Sequence, residues 1–126
     1  MIKMWFEKAS SDLRVAKLVK DMPDVMESSV FHAQQCAEKA IKGYLTFYKV
    51  RFEKTHDIEK LLKLVATVDA ALATELRPAI ILTKFAVAYR YPEEADPPEP
   101  LNQQSCDKVY VLAQWVYEEM KSRCPV

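Results

Sequence analysis

The sequence has a single glycine among its 126 residues. Glycine supplies the positive backbone angles of tight hairpins and of phosphate-binding loops. Its scarcity argues against many-stranded folds and against a glycine-rich nucleotide cradle. Half of the residues are apolar and 29% are charged, a composition that argues against wholesale disorder. At this length we expect one domain, residues 1–126, around one hydrophobic core.

Cysteine is also scarce. Cys36, Cys106 and Cys124 are an odd number with no C-x-x-C pair, which is typical of reduced thiols in a cytoplasm rather than of a disulfide framework. Two histidines and three scattered cysteines form no zinc pattern, so we expect neither a metal nor a cofactor. The N-terminus lacks the apolar run of a signal peptide, and no later segment is long enough to cross a bilayer. We therefore expect a soluble cytoplasmic protein without membrane contact.

The chain also lacks a net charge, because 18 basic residues balance 18 acidic ones. No overall field attracts nucleic acid, and any contact with RNA would need a local basic patch.

Apolar residues recur at helical spacing along most of the chain, and no segment shows strand alternation. We predict an all-α fold, an antiparallel up-and-down bundle of four to five helices. The proline-rich segment "PEEADPPEP", residues 92–100, predicts an extended, solvated connection. The first predicted helix spans about Ile2–Lys20, the second spans about Asp24–Lys49, and the third begins after an N-cap at Thr55 or Asp57. A short helical turn near Val68–Glu75 leads to a fourth helix, which begins at Pro78 and ends before Pro92. The fifth spans about Gln103–Lys121, with Asn102 or Ser105 as its N-cap.

Two apolar surfaces predict a partner. The fourth helix is apolar nearly all round, with only Thr83 and Lys84 polar between Ala79 and Ala88, and one small chain can hardly cover all of it. Val111 and Trp115 lie opposite the core stripe of the fifth helix, as a second apolar patch. Homodimerisation is the simplest interpretation; the alternative is that flanking loops cover both surfaces.

The second helix contains "FHAQQCAEKAIKGYL", which carries several polar side chains. His32, Gln35 and Lys39 share one face because residues three and four apart are neighbours on a helix. That row is either an ordinary solvated face or the polar wall of a site. Gln34 falls inside the apolar arc, so we expect its amide to bond to a neighbouring helix or to a bound water.

Two further segments carry candidate ligand-binding residues. Arg90, in "FAVAYRYP", has two possible roles. It can donate hydrogen bonds to the last carbonyls of its own helix. It can also bind a phosphate or carboxylate, with Tyr91 as a stacking or hydrogen-bonding group. Arg51 and His56, in "RFEKTHD", lead into the N-terminus of the third helix, where anions bind favourably. The alternative there is a capped helix start with a surface histidine.

The motifs "FHAQQCAEKAIKGYL", "THDIEKLL" and "FAVAYRYP", in this order and spacing, resemble those of the HEPN domain family. The resemblance implies a helical bundle that commonly forms homodimers. It also implies a minimal nucleotidyltransferase partner encoded beside it, as toxin and antitoxin or for nucleotide binding.

Many HEPN proteins are metal-independent ribonucleases in which an arginine precedes a histidine, with four to six residues between them. After Arg90 the corresponding positions hold Ala95, Asp96 and Pro97, whereas the spacing occurs as Arg51 and His56 before the third helix. We therefore favour a non-catalytic binding module for a nucleotide or other polyanion. The alternatives are a ribonuclease toxin using Arg51 and His56, with Arg90 as a third candidate, and a purely structural subunit.

Overall fold

The computed structural model describes residues 1–125, and within them every regular element is helical. The predicted all-α fold is confirmed. Val126, which the prediction of one domain includes, lies outside the described residues. The helices are α1 (Ile2–Val19), α2 (Met26–Phe47), α3 (Ile58–Val65), α4 (Ala70–Glu75), α5 (Ile80–Arg90) and α6 (Gln103–Ser122), with 3₁₀ turns at Pro23–Val25 and Arg77–Ala79. The predicted short turn is α4, so the predicted fourth and fifth helices are α5 and α6.

Four long helices alternate in direction. A short turn joins α1 to α2, which makes them antiparallel neighbours. The hydroxyl of Tyr48, after α2, donates to the carbonyl of Arg123, after α6, at 3.0 Å, so the C-terminal ends of these two helices meet. Arg90, the last residue of α5, lies over Phe31 near the start of α2, so α5 runs antiparallel to α2. Helices α3 and α4 occupy the connection between α2 and α5.

Side chains cap two helices as the sequence predicts. Asp57 accepts from the Glu59 amide at 2.9 Å at the start of α3, and Thr55 accepts from the Asp57 amide at 3.1 Å. Asn102 and Ser105 form a reciprocal capping box at the start of α6. These bonds satisfy amide groups that the first turn of a helix leaves free.

The connection between α2 and α3 is fixed at both of its ends. Lys49 adopts a left-handed conformation with φ 59°, and the Val50 amide donates to the carbonyl of Leu45 at 2.8 Å, which closes α2. At the other end the Ile58 amide donates to the hydroxyl of Thr83, on α5, at 3.0 Å. Residues 50–57 therefore hold a defined position beside α2.

Helix α2 lies at the centre of the bundle and contacts α1, α3, α5 and α6. Its small residues allow close approach of the neighbouring helices: Ala33, Ala37, Ala40 and Gly43 are all buried. The predicted apolar face of α3 is also buried, at Ile58, Leu61, Leu62 and Val65.

The chain itself covers most of α5, contrary to our expectation that one chain can hardly do so. Within α5 only Lys84 and Arg90 are exposed, because α2 and α3 pack against the helix. On α6, Trp115 is half-buried against the core, and only Val111 of the predicted patch, at 59% exposure, faces outward. These two apolar surfaces, which are mostly covered, therefore no longer support the homodimer, and it stays a prediction.

Gly43, the only glycine, should resist replacement by alanine. A Cβ atom there would lie 2.9 Å from Cε2 of the buried Phe6 ring. Alanine favours a helix over glycine by about 1 kcal/mol, whereas overpacking a core costs about 1–3 kcal/mol. We expect Gly43→Ala to lower the free energy of unfolding by about 1 kcal/mol, measured by urea denaturation.

A double variant separates the two effects. In a Phe6→Leu background the clash is gone, so Gly43→Ala should become neutral or stabilising. If the alanine costs the same in both backgrounds, contact with Phe6 does not explain the glycine.

Candidate functional site

A surface cleft of about 220 Å³ lies between α2, α5 and the segment before α3. It contains four of the seven candidate ligand-binding residues, namely Gln35, His56, Arg90 and Tyr91. We call it the Arg90 cleft; its lining residues are Phe31, Gln34, Gln35, His56, Thr83, Ala86, Val87, Arg90 and Tyr91.

Arg90 is held by an aromatic ring. Its guanidinium carbon lies 4.2 Å from the centroid of Phe31, a cation–π contact worth about 0.5–1 kcal/mol at an exposed site. Among residues 1–125 no acidic side chain forms an ion pair with it. The guanidinium is thus oriented by Phe31 while no acidic group of the described residues neutralises its charge.

His56 is oriented by a buried carboxylate. Its Nδ1 lies 2.9 Å and 3.1 Å from the two carboxylate oxygens of Glu38, which accept a hydrogen bond from Nδ1–H. The His56 side chain is 74% exposed. Its second nitrogen, Nε2, is therefore free to meet a ligand: it accepts a hydrogen bond when the ring is neutral and donates one when the ring is protonated.

Glu38 is the centre of this polar group, although it was not among the predicted site residues. The residue is 2% exposed, and besides His56 it accepts from Lys42 at 2.7 Å and from Gln34 at 2.9 Å. Gln34 also donates to the carbonyl of His56 at 3.1 Å. This buried amide thus has the partners that it needs, but they lie on its own helix and on the segment before α3 rather than on a neighbouring helix. Residues 34, 38 and 42 repeat every four positions, so the predicted burial of Gln34 also indicates burial of Glu38.

Two aromatic rings enclose Lys42 behind the cleft. The Lys42 ammonium lies 5.7 Å from the Trp5 ring centroid and 5.9 Å from that of Phe52. Its side chain is 7% exposed. A buried ammonium needs this environment, since Glu38 supplies the opposite charge and the rings supply cation–π attraction.

The predicted row of His32, Gln35 and Lys39 is divided. His32 and Lys39 both bind the carboxylate of Asp12 on α1, at 2.8 Å and 2.6 Å, and neither lines the Arg90 cleft. Gln35 instead donates to the side-chain oxygen of Gln34 at 3.0 Å and lines the cleft. The row is not a plain solvated face, because α1 packs against it.

Arg51 lies apart from the cleft that contains His56. It is exposed and lines a separate groove of about 470 Å³ on the other side of the segment before α3. We call this the basic groove; its lining residues are Arg51, Phe52, Glu53, Lys54, Thr55, Lys60, Lys63 and Leu64.

The cysteines are buried packing residues. Burial raises the pKa of Cys36, and it raises the pKa of Cys124 to about 11, so both thiols stay protonated near neutral pH and are poor nucleophiles. Within residues 1–125, His, Cys, Asp and Glu side chains form no cluster of three that could hold a metal ion. None of the helices in that part of the chain has the length and apolar character needed to cross a membrane.

Comparison with known proteins identifies the family. The HEPN domain model matches residues 2–123, so the chain belongs to the HEPN domain family. Its fold is similar to the crystal structure of an archaeal HEPN homologue, with a TM-score of 0.72 and 28% sequence identity, over 99% of this chain and 98% of that one. No curated protein matches the chain. The resemblance drawn from the three motifs is thus confirmed.

Removing the charge of Glu38 should destabilise the protein strongly. Glu38→Gln keeps the shape of the side chain and leaves the Lys42 ammonium buried without a counter-charge. Breaking one side of a buried pair costs about 3–5 kcal/mol. We expect a loss of that size in the free energy of unfolding, measured by urea denaturation.

The exposed pair of Lys3 and Glu7 has the same spacing and is the matched control. Glu7→Gln should change stability by less than about 0.5 kcal/mol. Adding Lys42→Met to Glu38→Gln should restore most of the loss, because no buried charge is then left. A small effect of Glu38→Gln alone would contradict the central role of this carboxylate.

Proposed function

We propose that the 126 residues form one non-catalytic HEPN-type binding module that holds a phosphate-bearing nucleotide in the Arg90 cleft. One observation carries this proposal: Arg90, unpaired within the described chain, is fixed over Phe31 in the same cleft as His56. The planar guanidinium of Arg90 carries several N–H donors whose geometry matches phosphate oxygens. Because Phe31 already orients this group, little side-chain entropy is lost when a ligand binds.

The other lining residues would contribute in distinct ways. His56, held by Glu38, would donate to a phosphate oxygen when protonated or accept from a ribose hydroxyl when neutral. Gln35 offers an amide at the cleft wall. Tyr91 is 50% exposed and offers a ring face for a base. His32, Lys39 and Arg51 have no part in this site, since the first two bind Asp12 and the third lines the basic groove.

We further propose that the module forms a homodimer and acts in the cytoplasm with a minimal nucleotidyltransferase, in nucleotide binding or as a toxin–antitoxin pair. Membership of the HEPN family supports this part of the proposal. Co-purification with the product of the adjacent gene would test it.

Nucleotide should raise the melting temperature, and Arg90→Ala should abolish the rise. A ligand at one hundred times its Kd adds about 2.7 kcal/mol to the free energy of unfolding. For a domain of this size that corresponds to a rise of several degrees, measured by thermal melting with and without millimolar ATP or AMP.

Arg14 on α1 is the matched control, because it is an exposed arginine outside the cleft. Arg14→Ala should keep the full rise. An unchanged melting curve of the unmodified protein with every nucleotide tested would refute the ligand proposal, as would equal loss of the rise in both arginine variants.

A second candidate function is a metal-independent ribonuclease, which the pairing of His56 with Glu38 favours. A histidine oriented by a carboxylate can act as a general base that takes the proton of the 2′-hydroxyl of RNA. The 2′-oxygen would then attack the phosphorus while the bond to the 5′-oxygen breaks and the 5′-oxygen takes a proton from solvent. Arg90 would stabilise the negative charge that develops on the phosphoryl oxygens. Arg51 lies outside the cleft, so the ribonuclease site proposed here combines His56 with Arg90 rather than with Arg51.

The ribonuclease candidate predicts cleavage of a labelled RNA that His56→Ala and Arg90→Ala abolish. His32→Ala and Arg51→Ala should leave the rate nearly unchanged, because neither residue lines the cleft. Cleavage that survives in His56→Ala would exclude His56 as the general base. The absence of cleavage by the purified protein would leave the binding module as the function.

A further inference from the structure

The basic groove carries positive charge that the described chain does not neutralise. Its walls contain four exposed cations, Arg51, Lys54, Lys60 and Lys63, and one carboxylate, Glu53. None of the four cations forms an ion pair anywhere in residues 1–125. The half-buried side chains of Phe52 and Leu64 add apolar surface to the groove.

The matching negative charge lies in the proline-rich segment, residues 92–100. Glu93, Glu94 and Asp96 are exposed, and no ion pair in the described chain involves them. Glu99, by contrast, pairs with Lys108 at 2.9 Å. The segment is not extended throughout, because residues 92–94 form a turn in which the Glu94 amide donates to the carbonyl of Tyr91 at 2.9 Å. Pro97, Pro98 and Pro100 follow this turn and limit the conformational entropy that the segment loses when it binds.

The segment and the far end of the groove lie at opposite ends of α2 within one chain. Arg90, just before the segment, lies over Phe31, and Arg51 follows the end of α2 at Phe47. At the helical rise of 1.5 Å per residue, about 24 Å separates those two positions of α2.

The segment is also tied down near its own end of the bundle. The Tyr91 amide donates to the carbonyl of Val87, and the Tyr89 hydroxyl donates to the carbonyl of Glu99 at 3.2 Å. About four extended residues on each side of the loop tip reach at most about 14 Å. The backbone of the segment therefore stops short of Arg51 of its own chain, and none of its acids pairs with a cation of the groove within residues 1–125.

We propose that the basic groove of one copy receives residues 93–98 of a second copy of this chain. The inference rests on the homodimer proposed above and specifies its interface. A two-fold arrangement makes the exchange reciprocal, so each groove holds the acidic segment of the other copy. Opposite charges bring the surfaces together, and proline-rich backbone commonly docks in aromatic-lined grooves, here beside Phe52.

A charge exchange tests the interface by analytical ultracentrifugation. The groove variant is Arg51→Glu with Lys63→Glu, and the segment variant is Glu93→Lys with Glu94→Lys. Each variant alone should dimerise at least about tenfold more weakly than the unmodified protein, because like charges then face each other. An equimolar mixture should recover heterodimers, since both of its contacts again pair opposite charges. All four substitutions in one chain should restore the homodimer.

The outcomes are distinguishable. A monomeric unmodified protein overturns both the homodimer and this interface. A dimer that neither variant weakens overturns the interface alone. Weakening in both variants without recovery in the mixture overturns the pairing of groove with segment. Circular dichroism and the melting temperature establish that each variant is folded.

A fluorescent single-stranded RNA tests the competing occupant. Loss of RNA binding in the groove variant, with an unchanged dimer, assigns the groove to nucleic acid and overturns the proposal. The nucleotide-dependent rise in melting temperature reports on the Arg90 cleft and does not depend on these outcomes.

Discussion

The rest of the polar structure depends on the hydrogen bonds and ion pairs of the buried Glu38 carboxylate. It binds Gln34 and Lys42 on its own helix and His56 on the segment before α3. Through Lys42 it also reaches the aromatic rings of Trp5 and Phe52. A carboxylate without water is stable only when its charge and its lone pairs have partners. The contacts of Glu38 therefore hold three parts of the chain together: α2, the segment before α3 and, through Lys42, the start of α1 at Trp5.

This arrangement gives the two sides of α2 different tasks. On the side of α1, Asp12 gathers His32 and Lys39, and the cluster joins two helices. On the side of α5, Glu38 holds His56 at the surface, beside Arg90 and its Phe31 ring. Donors oriented before a ligand arrives are what a binding cleft requires. The structural core and the candidate site are thus built from neighbouring residues of one helix.

The zero net charge hides a separation of charge along the molecule. Cations collect in the basic groove, which is formed by the segment beside α2 and by α3, and acids without an ion pair in the described chain collect in the segment after α5. Composition alone gives no reason to expect a charged partner. The distribution of charge does, because in the proposed homodimer a second copy of the chain would supply the complement to each surface. The apolar faces that first indicated a homodimer are mostly covered within the chain, whereas these charged surfaces are exposed.

Local chemistry made much of the fold predictable from the sequence. Helical periodicity and the caps at Asp57 and Asn102 depend on residues within a few positions of one another. The three motifs likewise sufficed to identify the HEPN family. The sequence could not show that α2 is central, that Glu38 binds His56, or that Arg51 and His56 line different surfaces. Those facts depend on which helices pack against each side of α2, and such contacts join residues far apart in the chain. The sequence alone therefore determined the helices and the family, while only the tertiary structure decided which polar residues share a site.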